Sequence, residues 1–299
     1  MNVYAKTILE ENELVAKLKY KDMIDGIELH LTSDFKFDKD KQSLVQKYPN
    51  VIKNIHLPTY KNKNDMYGIK ELFFYNNESV LAKCFSMAEF CSQYNNNNTI
   101  TLIIHNNLQF EDIIEQRRGK TELHIINCLK KLFEVFPHVN IAIENTMPLF
   151  PDKGSFSTRN GFLFENVQIV NELKKQLPEH AYRIGTCLDI CHAKGTIFTI
   201  NKIYQGTNVE VDIPTLDDYF EQNARVCSCI HFNNAKGLGE GENHGIAFTE
   251  DEINEVLNYY KKYNYTAPLV IEQSEIDYLN PQNLPFTLNQ LKSRGLLNH

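Results

Sequence analysis

The sequence predicts an α/β protein folded as one (β/α)8 barrel spanning residues 1–299. Three observations predict it. Short runs rich in Ile, Val and Leu recur along the chain, each followed by a longer stretch of helical character. No Gly-rich G-x-G-x-x-G turn follows any of these runs, which sets aside the runner-up, an open doubly wound sheet. No internal repeat and no Pro/Gly/Ser linker divides the 299 residues, a length that suits one large barrel.

In chain order, the strand candidates are Val3–Lys6, Gly26–Leu31, Asn54–Leu57, Ile100–Ile104, Asn140–Ile143, Ile184–Leu188, Ser228–Phe232 and Leu269–Ile271. They are too short for helices and apolar enough to be covered on both faces. Helices are expected between them. Ile113–Val135 carries Ile125, Cys128, Leu129 and Leu132 on one face, and Phe164–Gln176, Thr215–Ala224 and Thr287–Ser293 behave similarly. Glu250–Lys262 opens with acidic residues and closes with lysines, as the helix dipole favours. Asn95–Asn98, the low-complexity patch before the fourth strand, reads as a solvated loop.

Composition narrows the function classes. The mixture is globular, at 42% hydrophobic and 23% charged, and excludes a disordered or fibrous chain. A formal net charge of −7 excludes a general nucleic-acid coat, though not a local basic patch. No apolar stretch is long enough to span a bilayer, and the acidic N-terminal segment lacks a signal-like apolar core. The expectation is a soluble, cytoplasmic protein with no membrane association and no inferred protein partner. Seven cysteines without paired C-x-x-C spacing read as reduced thiols, mostly buried, rather than a structural zinc site.

The chemistry collects at the strand ends. The segments NIHLP, LIIHNN, IAIENT, GTCLDICH, SCIHF and LVIEQ deliver His56, His105, Glu144, Asp189 with His192, His231, and Glu272. In a barrel these ends form one rim, where active sites sit. Strand parity places Cys187 on the face of Asp189, and Cys227 and Cys229 on that of His231, small neighbours suited to a crowded interior. So many ionisable groups converging without a cation would leave buried like charges unpaired, so a metal site follows. A ligand set of His, Asp and Glu suits a catalytic zinc, manganese or iron centre rather than a closed structural one. After the seventh strand, the Gly-rich segment HFNNAKGLGEGENHGIAF offers Glu240, Glu242 and His244, with Glu242 and His244 as candidate further ligands. His30, after Glu28, lines the pocket without an identified partner, whereas His124, His138, His180 and His299 read as bystanders.

At these residues a family resemblance enters. The ordered motifs H-x-P, H-N-N, I-E-N-T, C-x-D-x-C-H-A, H-F-N-N-A-K-G and V-I-E, from about Gly26 to Glu272, resemble endonuclease IV within the xylose isomerase-like barrel superfamily. The resemblance implies a trinuclear zinc site that hydrolyses DNA phosphodiesters beside abasic sites. His56 and His105 would hold one ion, with Glu144 bridging to a second completed by Asp189, His231 and Glu272. His192, His244 and Glu242 would hold the third. Glu144, Asp189 and Glu272 would carry catalysis, and Tyr60, Lys61, Asn145 and Lys236 would contact substrate.

The chain departs from the family pattern where Glu242-Asn243-His244 replaces D-R-H, at shorter spacing from His231, and where Asn234 replaces an Asp. The alternative within the same superfamily is a sugar isomerase or epimerase. That reading uses one divalent manganese, magnesium or cobalt ion on Glu144, Asp189, His231 and Glu272, with a small sugar as substrate. A barrel that binds a ligand without turning it over ranks below both.

Overall fold

The computed structural model of the chain describes residues 1–62, 65–66, 72, 79–106, 123–146, 164–204, 213–236 and 244–297. Its eight central strands are β1 (Val3–Thr7), β2 (Gly26–His30), β3 (Ile52–His56), β4 (Ile100–His105), β5 (Val139–Glu144), β6 (Ile184–Asp189), β7 (Cys227–Phe232) and β8 (Leu269–Ile271). They pair in sequence order, all parallel, and β8 returns to β1 to close the barrel. Every strand run read from the sequence is a barrel strand, because Ile, Val and Leu fit a surface buried on both sides.

Around the barrel lie helices α1 (Glu11–Leu18), α2 (Lys39–Lys47), α3 (Val80–Gln93), α4 (Leu123–Val135), α5 (Glu165–Gln176), α6 (Ile190–Tyr204), α7 (Leu216–Asn223), α8 (Glu250–Lys262) and α9 (Asn283–Ser293). The boundaries of α8 match the sequence reading, and its cause is local. The Thr249 hydroxyl accepts from the Glu252 backbone N–H while Glu252 reaches back to the Thr249 N–H, a reciprocal cap. Thr215 and Asp218 start α7 in the same way. Of the expected Ile113–Val135 helix, residues 113–122 lie outside the described residues.

The Asn95–Asn98 loop is only partly solvated. Asn96 and Asn97 are exposed, with φ of 55° and 57°, the left-handed region that asparagine tolerates. Asn95, however, is buried, donating to the Ile52 carbonyl (3.2 Å) and accepting from the Lys53 ammonium (3.0 Å). It ties the turn to the start of β3.

Two apolar layers follow from strand parity. One face of each strand packs outward against the helices, as Ile55, Leu102, Ile141, Leu188 and Ile230 do. The other faces the barrel axis, where Ile103, Ala142, Cys187, Cys229 and Val270 pack together with Tyr4 against them. Advancing two residues along each of these strands gives Lys6, His105, Glu144, Asp189, His231 and Glu272, so the layer above the apolar plug is ionisable throughout. No described helix is long and apolar enough to cross a membrane.

Candidate metal centre

The ionisable layer sits at the carboxyl ends of the strands. Parallel register sets its neighbours side by side, with His30 opposite His56, His105 opposite Glu144, and Asp189 opposite His231. Glu144 lies at its centre, 1% exposed, and four imidazoles surround its carboxylate. Oε2 faces His56 Nε2 at 3.1 Å and His105 Nε2 at 3.3 Å. Oε1 faces His192 Nδ1 at 3.2 Å and His231 Nδ1 at 3.5 Å. Each oxygen therefore serves a different histidine pair. On the second side Asp189 adds Oδ2 at 3.4 Å from His231 Nδ1, and Glu272 adds Oε2 at 2.8 Å from the same nitrogen.

Supporting contacts fix these groups. His56 Nδ1–H donates to the Leu57 carbonyl (2.8 Å), which turns Nε2 toward Glu144. The Asn145 side chain accepts from the Asp189 N–H (2.8 Å) and donates to the Asp189 carbonyl (2.9 Å). Asn233 donates to Asp189 Oδ2 (2.9 Å), while the His192 N–H donates to Oδ1 (2.6 Å). Asp189 thus ends β6 and caps the helix that opens at Ile190, which places His192 one turn onward.

The electrostatics suit a cation. Burial alone would raise the Glu144 carboxyl, but the neighbouring His105 and His231, with hydrogen bonds from His105 and His192, hold it well below the usual range. Against the same cost of burial, His192 and His231 keep Asp189 low, and Lys6 and His231 do so for Glu272. Burial, reinforced by Lys6, pushes His56 down despite its contact with Glu144. Burial, Lys6 and His56 push His30 down to about 2. Ionised carboxylates and neutral imidazoles are the forms that coordinate metals. His192 and His231 differ. Burial works against the His192 proton, but the Asp189 charge and the Glu144 hydrogen bond lift it to about 9. Burial likewise opposes the His231 proton, but Cys187, Glu28, Glu144 and Glu272 around it hold it well above the usual imidazole range, so a cation binding at either ring displaces a proton.

Three overlapping donor groups result, each with ligand atoms within 4.8 Å of one another: His56–Glu144–His231, His105–Glu144–His192 and Asp189–His231–Glu272. A fourth, Cys187–Cys229–His231, reaches into the plug below. The residues fit a bound metal. His231 Nδ1 and Nε2 and Glu272 Oε2 are buried without a hydrogen bond of good geometry among the described residues, and the donor set is nitrogen and oxygen from several strands.

The structure thus brings together His56, His105, Glu144, Asp189, His192, His231 and Glu272. Asn145 lies among them with its amide committed to the Asp189 backbone. Lys236 is exposed just beyond the short strand Asn234–Ala235. Tyr60 and Lys61 lie on a short strand, Tyr60–Asn62, after β3, with side chains outside the described residues. Glu240 and Glu242 also lie outside them. The His244 backbone pairs antiparallel with Ala235, just beyond the end of β7, but its side chain is outside the described residues. Gly245 follows with φ +73°, the left-handed region that glycine favours, and a Cβ there would meet Ser274 Oγ, in the segment after β8, at 2.7 Å.

Two charged residues of the cluster escaped the sequence reading. Lys6 Nζ lies 2.6 Å from Glu272 Oε1, and Glu28 Oε1 lies 3.0 Å from His231 Nε2. The alternation Tyr4–Lys6 and Glu28–His30 on inward faces is the signal that could have found them. Beside Glu272 a cavity of about 330 Å³, lined by Lys6, Thr7, His30, Gln273, Ser274 and Tyr278 among others, gives access to the cluster.

The chain matches no protein-family model and no curated protein. Among solved structures it is similar to a D-tagatose 3-epimerase-like protein (14% identity, 99% of this chain and 100% of that one, TM-score 0.57). A xylose isomerase domain protein from Planctomyces limnophilus aligns at 12% identity over 98% of this chain and 94% of its own, with a TM-score of 0.56. SacUVDE aligns at 11% identity over 99% of this chain and all (100%) of its own, with a TM-score of 0.56. The likeness lies in the fold: each of these chains aligns with the eight-stranded parallel barrel over nearly its whole length.

Proposed function

We propose that the chain is a metal-dependent phosphodiester hydrolase with a multinuclear, zinc-type centre, acting on DNA at abasic sites. The observation that carries this reading is the division of Glu144, with Oε2 toward His56 and His105 and Oε1 toward His192 and His231. A carboxylate placed this way suits a bridge between two cations, whereas a single ion on the inner residues would leave His56 and His105 as substrate contacts only. Bound there, zinc supplies Lewis-acid polarisation of a phosphoryl group and a nucleophile at neutral pH.

The chain's own residues provide the frame. His56, His105 and Glu144 form one pole, and Asp189, His231 and Glu272 the other. Asn145 and Asn233 keep Asp189 from turning away. The cavity beside Glu272 admits a sugar-sized group next to the cluster.

The test pairs metal content with turnover of an oligonucleotide carrying one abasic site. His105→Ala is expected to lose one ion relative to wild type and to cut kcat/KM on the order of 100-fold or more. The second reading, a mononuclear sugar isomerase or epimerase, is favoured by one observation: Glu144, Asp189, His231 and Glu272 by themselves form an oxygen-rich set. Under it, His105→Ala keeps its full metal content, and the protein turns over a ketose rather than DNA.

A further inference from the structure

We propose that Lys6 is a built-in counter-cation of the metal-ligand cluster. It holds Glu272 by one oxygen so that only the other is offered to a metal ion, and its charge keeps the cluster tolerable when no ion is bound. The proposal rests on reading the cluster as a metal centre, but it assigns a role to a residue that this reading does not use.

The geometry is a closed ring of alternating groups. Glu272 Oε1 lies 2.6 Å from Lys6 Nζ, which lies 3.6 Å from Glu28 Oε1. The same Glu28 oxygen lies 3.0 Å from His231 Nε2, and His231 Nδ1 lies 2.8 Å from Glu272 Oε2. The second Glu28 oxygen accepts from Asn54 Nδ2 (3.1 Å) and is fixed outside the ring. Each oxygen of Glu272 therefore has its own partner, Lys6 on one and the face shared by His231 and Asp189 on the other.

Lys6 is not a surface lysine folded inward by chance. Its side chain is 7% exposed, and strand parity sends it to the barrel axis directly above Tyr4. Among the described residues its ammonium has charged partners and no hydrogen bond of good geometry. A buried ammonium held in this way is tolerated only where carboxylates already stand. Here Glu28, Glu144, Asp189 and Glu272 crowd four carboxylates into one small volume, and beside the His192 and His231 rings Lys6 is the lysine that faces them. Lys6 thus opposes part of the charge that would attract a divalent ion. It also prevents Glu272 from closing on that ion with both oxygens.

Zinc titration and thermal melting of chelator-treated protein test the proposal. Lys6→Met is expected to bind zinc about tenfold more tightly than wild type, because a neighbouring positive charge has gone, and to melt several degrees lower when metal-free. The double variant Lys6→Met/Glu28→Gln removes one charge of each sign and is expected to return both properties toward wild type. If metal-free Lys6→Met does not stay folded, chelator competition starting from zinc-loaded protein gives the same affinity. Equal or weaker zinc binding by Lys6→Met overturns the proposal, as does a double variant that behaves like the single one. Wild-type protein that binds no divalent ion overturns the metal reading instead, so the two failures are distinct.

Discussion

Replacing Glu144 with Gln is expected to lower turnover on the order of 1,000-fold, about 4 kcal/mol of transition-state stabilisation, and to remove at least one bound ion. The substitution keeps the shape of a side chain that is 1% exposed, so the fold should survive and circular dichroism should be unchanged. What it destroys is the function of both oxygens. An amide offers one weak acceptor and one donor group, and whichever way it turns, its NH2 meets either the His56–His105 side or the His192–His231 side. A cation on that side loses an anionic ligand. Wild-type metal content and turnover in this variant would remove Glu144 from the centre.

Arg183→Met is expected to destabilise the barrel by about 3 kcal/mol without touching the site. Arg183, 4% exposed, precedes β6 at the end of the barrel opposite the cluster. Its Nε donates to the Val139 carbonyl (3.0 Å), its Nη1 donates to the Phe133 carbonyl (2.8 Å), and Nη2 also donates to Phe136. The guanidinium lies 4.2 Å from the Phe133 ring centroid. It therefore satisfies the carbonyls left open where α4 ends and β5 begins, groups that methionine would leave buried and unpaired. Chemical denaturation reads the loss. A midpoint within error of wild type would show that water or rearranged backbone replaces the guanidinium.

The sequence made the barrel legible because eight runs of β-branched and aliphatic residues alternate with helical stretches, and no Gly-rich turn favours the open doubly wound sheet that would bury them equally well. That these candidate ligands cluster at one end of the barrel was legible for a related reason. Strand-end His, Asp and Glu stand two residues beyond small or apolar positions such as Ile103, Ala142 and Cys187, so parity alone aims them at the axis. Lys6 was not legible, since a lysine near a chain start usually reads as a solubilising residue. Its partner Glu272 comes from the other end of the sequence and is brought to it only by barrel closure. The role of Asn145 was hidden for the same kind of reason. Its motif suggests a substrate contact, whereas the fold places Asp189 on the adjacent strand, where both ends of the amide bond its backbone.

The most direct test of the account is elemental analysis of wild-type protein purified without added metal or chelator. The account predicts about two or three zinc-type ions per chain, as a carboxylate-bridged multinuclear centre requires. One ion per chain, held without any contribution from His56 and His105, would contradict it and leave Glu144 an ordinary ligand of a mononuclear site.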